Sequence, residues 1–365
     1  MLRPATLQDL DFLVEIENRC FEIDRLSRRN FRHLLTKGNA STWLYIHDEV
    51  IIGYVMLLFN KGTSLARLYS IATLPEAQGK GVGRSLVEAA EKVALDNVCA
   101  YMRLEIRTDN QASINLFKKL GYRQFGTYED YYEDHTDALR FEKMLVVHTP
   151  ANLLPVPHYQ QTLDFTCGPA SLLMAMKTLD PECDFSRTTE LRLWRESTTI
   201  FMTSGHGGCG PFGMALAAFK RGFRVELFAS ENEGLFVDSV RNPEKKEVIR
   251  LVNEDFLQEI KRKNIPLSYA KLTIDEIKSK LDSEGIPLIL ISSYRIYQEK
   301  FPHWVVVTGL DDRFIYVHDP FIDWEMGKTF TDCINMPIPI KEFIRMSRYG
   351  RSGQRAALIL FNSPK

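Results

Sequence analysis

Apolar and polar residues follow two different periods along the first 145 residues of the chain. Apolar side chains spaced as on one face of a helix occur at 6–21, 83–95 and 111–120. Runs of apolar and aromatic residues of strand length, bounded by turn residues, occur at 43–46, 50–59, 66–73 and 101–107, with a final strand pair through residue 144. The pattern predicts an α+β unit whose first three strands are mostly antiparallel.

The second part of the chain again mixes both periods. Pro150, Pro155 and Pro157 precede it, and prolines at this density are typical of an extended connection. Helices are predicted at 167–177, 212–220 and 273–283, and strands at 287–292, 303–309 and 314–318. We therefore predict two α+β domains, 1–146 and 157–365, with a linker at 147–156.

Length and composition fit this division. A chain of 365 residues exceeds what one core usually supports. Its 46 Lys and Arg nearly balance 47 Asp and Glu, so nucleic acid and membrane surfaces are not expected partners. Apolar runs such as 286–291 are too short to span a bilayer, and the N-terminus lacks a signal-peptide core, so we expect a cytoplasmic protein. The six scattered cysteines are expected to be free thiols.

A glycine-rich segment, Gln-Gly-Lys-Gly-Val-Gly-Arg at 78–84, joins the strand at 66–73 to the helix that follows. Glycines allow successive backbone N–H groups to converge on an anion, and a helix N-terminus adds partial positive charge. The segment therefore favours a phosphorylated cofactor. The alternative is a glycine turn that only starts a helix.

This segment resembles the acetyl-CoA loop of the GNAT superfamily, Gln/Arg-x-x-Gly-x-Gly/Ala, at Gln78, Gly81 and Gly83. The block at 104–122, Leu-Glu-Ile-Arg-x-x-Asn-x-x-Ser-Ile-x-Leu-Phe-x-x-Leu-Gly-Tyr, looks like the next motif of that superfamily, most closely in RimI-like N-acetyltransferases. The resemblance implies a GNAT mixed sheet with flanking helices over about residues 1–145. It also implies acetyl-CoA as co-substrate and an amine of a peptide or protein as acceptor.

The resemblance further implies roles for individual residues. The backbone of Ile71 and Thr73 would hold the pantetheine, and Asn110 would contact the cofactor. The pyrophosphate would be held by the loop, that is by Gly79, Lys80, Gly81, Val82, Gly83 and Arg84. Glu105 lies where RimI-like enzymes carry their general base. The alternative is a solvated strand face shared with Arg103 and Arg107.

The proton donor for the departing CoA thiolate differs from the family pattern. RimI-like enzymes place a tyrosine where this chain has Phe117, which has no proton to give. Tyr128, Tyr131 or Tyr132 are candidate substitutes, or the thiolate leaves without a dedicated acid. A further alternative is that the domain is a degenerate CoA-binding sensor.

A second candidate site begins at Cys167, which opens the helix predicted at 167–177. A helix N-terminus favours the thiolate, and Gln161 is positioned to supply an oxyanion donor. His303 and Asp319 lie at one end of two consecutive predicted strands and would complete a Cys-His-Asp triad. For the other cysteines, such as Cys20, Cys99 and Cys183, simple burial is the expected explanation.

The set Gln161, Cys167-Gly-Pro, His303-Trp and Asp319-Pro looks like the double-glycine (bacteriocin-leader-processing) cysteine peptidases and their papain-like relatives. The resemblance covers about residues 155–362 and implies a papain-like cysteine-peptidase α+β domain. Exporter-linked members are fused to membrane and ATPase segments that this sequence lacks, so cleavage during export does not follow.

The stretch Ser-Gly-His-Gly-Gly-Cys-Gly-Pro at 204–211 has two interpretations. His206 and Cys209 would be a metal pair, but two ligands make a poor site. We favour a glycine turn that opens the helix at Phe212, and we predict no metal.

Together these features predict a bifunctional enzyme: an acetyl-CoA-dependent N-acetyltransferase acting on a peptide or protein, joined to a cysteine peptidase. Two alternatives concern the second domain. It would bind and deliver a peptide without cutting it, or transfer an acyl group through a thioester.

Overall fold

The computed structural model describes residues 1–146, 152–198, 207–230, 236–237, 240, 242–299, 301–326, 328–350 and 352–362. The chain divides into two compact units, Met1–His148 and Thr149–Lys365. In each unit the described residues form a seven-stranded sheet with helices packed against it, so the fold class is α+β as predicted.

The first unit has the sheet order β1-β2-β3-β4-β5-β7-β6. The pairs β1–β2, β2–β3 and β3–β4 are antiparallel, whereas the pair β4–β5 is parallel. The elements are β1 (Leu2–Pro4), α1 (Leu10–Cys20), α2 (Arg28–Thr36), β2 (Ala40–His47), β3 (Val50–Phe59), β4 (Leu65–Thr73), α3 (Val82–Asp96), β5 (Tyr101–Arg107), α4 (Gln111–Lys119), β6 (Arg123–Tyr128) and β7 (Ala138–Met144).

The parallel pair β4 and β5 separates part of the way along. Their register ends at Arg67↔Arg103, although β4 continues to Thr73 and β5 to Arg107. On its other side β4 stays paired with β3 as far as Thr73↔Gly53. In this fully described stretch, the β5-facing side of β4 therefore has no strand partner beyond Arg67, which leaves a split between two neighbouring strands.

The two faces of β5 have opposite character. Met102, Leu104 and Ile106 are buried in the apolar core with α1, α3 and α4. Because side chains alternate along a strand, Arg103 and Glu105 are on the other face. Burial of each large apolar side chain contributes about 1.5–3 kcal/mol, so the core fixes which face of β5 receives the charged residues.

The second unit has the sheet order β13-β12-β11-β10-β14-β8-β9, antiparallel except between β8 and β9. The elements are α5 (Cys167–Leu179), α6 (Arg187–Ser197), α7 (Pro211–Lys220), β8 (Arg224–Ala229), α8 (Pro243–Arg262), β9 (Leu267–Ser268), α9 (Ile274–Asp282), β10 (Ile286–Ser292), α10 (Tyr294–Tyr297), β11 (Pro302–Leu310), β12 (Phe314–His318), α11 (Phe330–Cys333), β13 (Met336–Pro339), α12 (Ile340–Met346) and β14 (Ala356–Phe361). The six predicted elements are present, each within two residues of its predicted ends.

Helices cover both faces of this second sheet. Leu288 and Leu290 of β10 share a core with α5, α6 and α7. Ile289 and Ile291, which alternate with them, belong to a separate core with α9 and α12. The sheet is therefore buried on both sides, which explains why β10 and β11 are continuous apolar runs rather than alternating ones.

Part of the predicted linker lies against the second sheet. The Leu154 N–H donates to Thr308 O at 2.8 Å, and Leu153 approaches Gly309 so closely that a Cβ there would lie 2.6 Å from Leu153 Cδ2. Val156 O accepts a hydrogen bond from His318 Nε2 at 2.9 Å. Residues 152–156 thus pack against β11 and β12. Pro150 lies outside the described residues.

Among the described helices, none combines the length and the apolar character that crossing a membrane requires. Helix α8 has 20 residues, but half of them are charged.

Candidate active sites

The glycine-rich segment forms a tight turn between the end of β4 and the start of α3. Gly79 and Gly81 have φ values of +74° and +82°, in the left-handed region that favours glycine. A Cβ on either residue would meet no atom within 4 Å, so the backbone is open on this side. Ser85 N–H bonds back to Gly81 O at 3.1 Å, and the amides of 82–84, which precede it, have no intrahelical acceptor. The turn therefore directs free N–H groups and the positive end of α3 to one place.

The end of β4 beside this turn carries the residues predicted to hold pantetheine. Ile71 and Thr73 are half-buried and lie past the point where β4 leaves β5. Gln78 Nε2 donates to Thr73 O at 3.4 Å, and Cys20 Sγ donates to the same oxygen at 3.5 Å. These long bonds tie the turn to the end of the strand.

Asn110 has a structural role at the start of α4. Its Oδ1 accepts a hydrogen bond from Ser113 N–H at 3.0 Å, which caps the helix. The predicted contact between Asn110 and the cofactor remains a prediction.

Glu105 is in a buried ion pair that the sequence did not suggest. Arg67 Nε donates to Glu105 Oε2 at 2.9 Å, and the two side chains are only 4% and 5% exposed. Arg103 on the same face is paired with buried Glu142 at 2.7 Å. The alternative of a solvated strand face is therefore wrong for Arg103 and Glu105, because neighbouring strands supply partners that enclose them.

The second carboxylate oxygen of Glu105 is different. Oε1 is buried and has no hydrogen-bond partner among the described residues. A buried acceptor without a donor is costly, by about 1–3 kcal/mol. A donor from a bound substrate, such as an amine, would satisfy it.

The tyrosines considered as proton donors lie near Glu105 rather than near Phe117. Tyr131 OH accepts from Arg67 at 2.9 Å, and its ring stacks on Tyr128 at 5.7 Å. Burial is the main cause that raises the pKa of Tyr132, and the nearby Tyr131 and Glu105 raise it further. Phe117 is buried on the opposite face of β5 with Met102, Leu104 and Ile106. Phe117 and these tyrosines therefore lie in different surroundings, and a tyrosine as the proton donor for the thiolate remains a prediction.

Cys167 is the first residue of α5, where the N-terminal end of the helix stabilises negative charge. The next residue, Gly168, is the point where three elements meet. A Cβ there would lie 2.9 Å from Met214 Sδ, 3.2 Å from Cys209 Cβ and 3.3 Å from Trp304 Cδ1. The glycine thus allows α5 to approach β11 and α7 closely enough to place the thiol at the end of the sheet.

The residues predicted to act with Cys167 are brought together at that end. His303 Nε2 lies 2.6 Å from Asp319 Oδ1, and both residues are buried. The Cys167 thiol lies near enough to the same imidazole to affect its charge. Burial opposes a charged ring, but the charge and hydrogen bond of Asp319, followed by Cys167, outweigh it and raise the pKa of His303 to about 10. Burial also opposes a charged Asp319, but His303 and then Tyr297 keep the pKa of that carboxyl below its usual value.

Tyr297 holds Asp319 in place, and no sequence pattern indicated this role. Its hydroxyl donates to Asp319 Oδ2 at 2.7 Å and to Phe321 O at 3.1 Å. The Phe321 N–H donates to Asp319 Oδ1 at 2.9 Å, and Lys328 Nζ lies 4.1 Å from the centre of the Tyr297 ring. Asp319 is thus bonded from three directions, and its orientation towards His303 is fixed.

Gln161 is buried, and its side chain is partly engaged. Nε2 donates to Leu163 O at 2.9 Å, whereas Oε1 has no partner among the described residues. Its backbone N–H donates to Pro320 O at 2.9 Å, which ties Gln161 to the residue after Asp319. One amide hydrogen of Gln161 is therefore used internally, and its predicted part in an oxyanion hole remains a prediction.

A buried carboxylate on α6 braces the segment that carries Gln161. Glu190 accepts from the Thr162 N–H at 2.9 Å, from the Thr162 hydroxyl at 2.6 Å and from Tyr159 OH at 3.1 Å. Sequence reasoning missed Glu190, because its partners lie about 30 residues away in the chain.

The remaining cysteines have the character of structural thiols. Burial raises the pKa of Cys99 to about 12 and that of Cys183 to about 11, and it also raises the pKa of Cys20. Cys209 is buried, and its carbonyl accepts from Trp304 Nε1 at 3.1 Å. His206 lies outside the described residues, and the described ranges contain no cluster of three or more metal-ligating side chains. Helix α7 begins at Pro211, next to the helix start predicted at Phe212.

We expect Asp319→Asn to lower the pKa of His303 from about 10 towards or below the ordinary 6.5, because burial then acts without the opposing carboxylate. The folded-state pKa of the wild-type ring is raised. The ring therefore contributes stability that is complete below about pH 6.5 and lost as the pH rises to about 10. Side-chain ¹H–¹⁵N NMR titration measures this directly, with His303→Gln to assign the signal. A ring that titrates near 6.5 in the wild type would contradict the ion pair.

Relatives with curated names match the first unit. An N-alpha-acetyltransferase of Sulfolobus acidocaldarius is 32% identical, and the match covers 38% of this chain and 88% of the relative. A thialysine N-epsilon-acetyltransferase of Bos taurus is 28% identical over 32% of this chain and 71% of that protein. Among solved structures, the ribosomal-protein-S18-alanine N-acetyltransferase of Escherichia coli is 22% identical, with a TM-score of 0.38 over 42% of this chain and 97% of that one.

Two family models match the chain in sequence order. The model described as "Acetyltransferase (GNAT) family" matches residues 10–122, which include the glycine turn, the split strands and Glu105. The model described as "Peptidase_C39 like family" matches residues 156–361, more than half of the chain, from the segment before Cys167 to β14. The chain therefore belongs to the Peptidase_C39 like family and carries, ahead of that region, a domain of the GNAT acetyltransferase family.

Proposed function

We propose that the protein is a bifunctional enzyme, in which the first unit acetylates an amine of a peptide or protein and the second unit cleaves an amide bond. For the first unit, the observation that carries the proposal is the split between β4 and β5 beside the open glycine turn. An extended molecule with a pyrophosphate at one end fits this arrangement, because the free edge of β4 lies next to the free N–H groups of the glycine turn.

The first unit's own residues suit acetyl-CoA. Gly79 and Gly81 leave the turn open where side chains would otherwise project, so residues 79–84 would hold the pyrophosphate. The exposed edge of β4 at Ile71 and Thr73 would hold the pantetheine. When bound, acetyl-CoA supplies a thioester whose acetyl group is transferred to an amine.

The acceptor amine is proposed to bind at Glu105. Arg67 fixes one carboxylate oxygen, and the unpartnered Oε1 would accept a proton of the incoming amine directly or through a water. Relatives named for an α-amine and for a side-chain amine both match this unit, which supports a primary amine as the acceptor class. A further relative, from Bacillus subtilis, is named for an alanine of ribosomal protein bS18, which supports a protein as the carrier of that amine.

Glu105→Gln is expected to lower kcat for acetyl transfer by about 10²-fold with little change in KM for acetyl-CoA. The assay follows free thiol released from acetyl-CoA with a peptide library that offers N-terminal and lysine amines. Glu142→Gln is the matched control, because it removes the charge of the other buried Arg–Glu pair on this sheet face. Both variants leave a buried arginine without its carboxylate, so a loss of kcat confined to Glu105→Gln separates catalysis from stability.

Two results would contradict this proposal. No turnover of any peptide amine by the wild type would favour a CoA-binding sensor, an alternative that buried Phe117 keeps open. Equal losses of kcat in the two variants would show that Glu105 only supports the fold.

For the second unit, the observation that carries the proposal is the buried His303–Asp319 pair beside Cys167. In the proposed reaction the Cys167 thiolate attacks a substrate carbonyl, and the His303 imidazolium gives its proton to the leaving amine. A thioester to Cys167 results, and His303 then takes a proton from the water that hydrolyses it. Asp319, held by Tyr297, keeps the ring oriented throughout and stabilises its charged form before and after these proton transfers.

The bonds around Asp319 favour chemistry over simple peptide binding. A peptide-delivery domain has no need of a cysteine beside a histidine that a buried carboxylate orients. Acyl transfer through the same thioester differs from cleavage only in the nucleophile that releases Cys167, which is an amine rather than water. Adding an amine to the reaction therefore distinguishes the two.

A further inference from the structure

The second unit contains a cavity that neither proposed reaction uses. It has a volume of about 260 Å³ and lies between α9 and α12 on one side and strands β8, β10 and β14 on the other. Ile289 of β10 lines it and belongs to the core of the sheet face opposite α5. Cys167 opens α5 and belongs to the other core, so the cavity is separate from the cysteine site.

The walls of the cavity are mostly aliphatic and aromatic. They include Ile274 and Ile277 of α9, Phe343 and Ile344 of α12, and Ile289. An enclosed apolar cavity of about 150 Å³ already accepts benzene. A volume of 260 Å³ therefore suffices for an alkyl chain of about eight carbons.

Two cationic residues also line the cavity, Lys271 before α9 and Arg355 before β14. Among the described residues, neither is in an ion pair, and no carboxylate lines the cavity. Burial, followed by repulsion from Arg348, lowers the pKa of Arg355. An anion placed here would relieve the repulsion and would pair with a guanidinium that has no ion-pair partner in the part of the chain that the structure describes.

We infer that this cavity binds a medium-chain aliphatic monocarboxylate, with its alkyl chain between α9 and α12 and its carboxylate at Arg355 and Lys271. The aliphatic walls favour an alkyl chain over a peptide. A peptide would bring N–H and C=O groups into contact with Ile274, Ile277 and Ile289, where they would lack partners.

Isothermal titration of the full chain with octanoate tests this inference, with 1-octanol as the uncharged ligand of equal length. We expect octanoate to bind once per chain and at least tenfold more tightly than octanol. Arg355→Met should weaken octanoate binding at least tenfold and leave octanol binding unchanged. Arg348→Met is the matched control, since Arg348 is exposed and does not line the cavity. It should retain octanoate binding.

A variant that fills the cavity gives an independent test. Ile344 is half-buried, so Ile344→Trp adds bulk without replacing a fully buried residue, and it should abolish binding of both ligands. The inference is wrong if the wild type does not bind octanoate, if it binds octanoate no more tightly than octanol, or if Arg348→Met and Arg355→Met lose equal affinity. Binding retained by a correctly folded Ile344→Trp would place the ligand elsewhere, and tighter binding of a short leucine-ending peptide would replace the alkyl occupant with a peptide.

Discussion

Replacing Cys167 with alanine is expected to reduce labelling by a thiol-directed peptide electrophile at least about 10³-fold. The reason is that Cys167 combines a helix N-terminus with a histidine whose pKa is about 10, so an imidazolium is available at neutral pH to stabilise the thiolate. Intact-mass spectrometry of the wild type and the variant over time measures the rate. Acetyl transfer by the first unit should be unchanged, because it uses other residues.

Cys183→Ala is the matched control for this experiment. Cys183 is half-buried, so it is more accessible than the other cysteines of the second unit, and burial and then Asp180 raise its pKa to about 11. We expect its removal to leave the rapid labelling intact. If Cys167 reacts no faster than Cys183, the peptidase proposal fails, and delivery of a peptide without cleavage becomes the better explanation.

Labelling shows an activated thiol, and an added amine then separates the two outcomes of a thioester. If the second unit is a peptidase, the acyl group on Cys167 is released by water even without an amine. Hydroxylamine or an amino acid added in excess then takes a share of the acyl group that rises with the amine concentration. If the second unit is an acyl transferase, product forms only when the amine is present.

Gly81→Ala is expected to raise the dissociation constant for acetyl-CoA at least tenfold. A methyl group at this position would project into the open side of the turn, where the pyrophosphate is proposed to bind, and the residue has a φ of +82° that costs alanine about 1–2 kcal/mol. Titration calorimetry with acetyl-CoA measures the affinity, and thermal unfolding measures the loss of stability.

Gly121→Ala separates the two effects of that substitution. Gly121 has a φ of +87°, and a Cβ there would meet only Lys143 Cε at 4.0 Å. It therefore carries the same backbone strain outside the turn, and we expect a similar loss of stability with unchanged acetyl-CoA affinity. Equal affinities in the two variants would mean that the glycines of the turn merely start α3.

Much of the fold was predictable because local patterns agree with the tertiary structure. The helix at 167–177 and the strand at 314–318 have strong apolar runs and clear boundaries, and α5 and β12 follow them closely. The motif residues His303 and Asp319 are in contact, since antiparallel neighbours bring the start of β11 next to the end of β12. The triad that they would form with Cys167 stays a prediction.

The missed elements have weaker patterns, although some carried local signals. Helix α6 is mostly polar, and its start is marked only by the Ser186 cap, whose hydroxyl accepts from Thr189 N–H. Helix α8 begins with an Asn242 cap followed by Pro243, which are typical start signals. The apolar run of β14 was visible in the sequence, but its place between β10 and β8 depends on pairing across more than 60 residues.

The details of both sites could not be derived from the sequence, because they depend on residues from other elements. Arg67 reaches Glu105 from a strand 38 residues earlier, and the separation of β4 from β5 reflects where their pairing ends. Tyr297 reaches Asp319 from the short helix α10. A motif supplies the groups that react, whereas these partners decide how those groups are charged and oriented.

The contact between Leu153 and Gly309 decides where the chain can be cut to produce the second unit alone. A fragment that starts at residue 157 would lose the Leu154–Thr308 and Val156–His318 bonds and would expose the backbone beside Gly309 to solvent. A fragment that starts at residue 152 keeps this covering segment. For expression and crystallisation, residues 152–156 therefore belong to the second unit rather than to the linker.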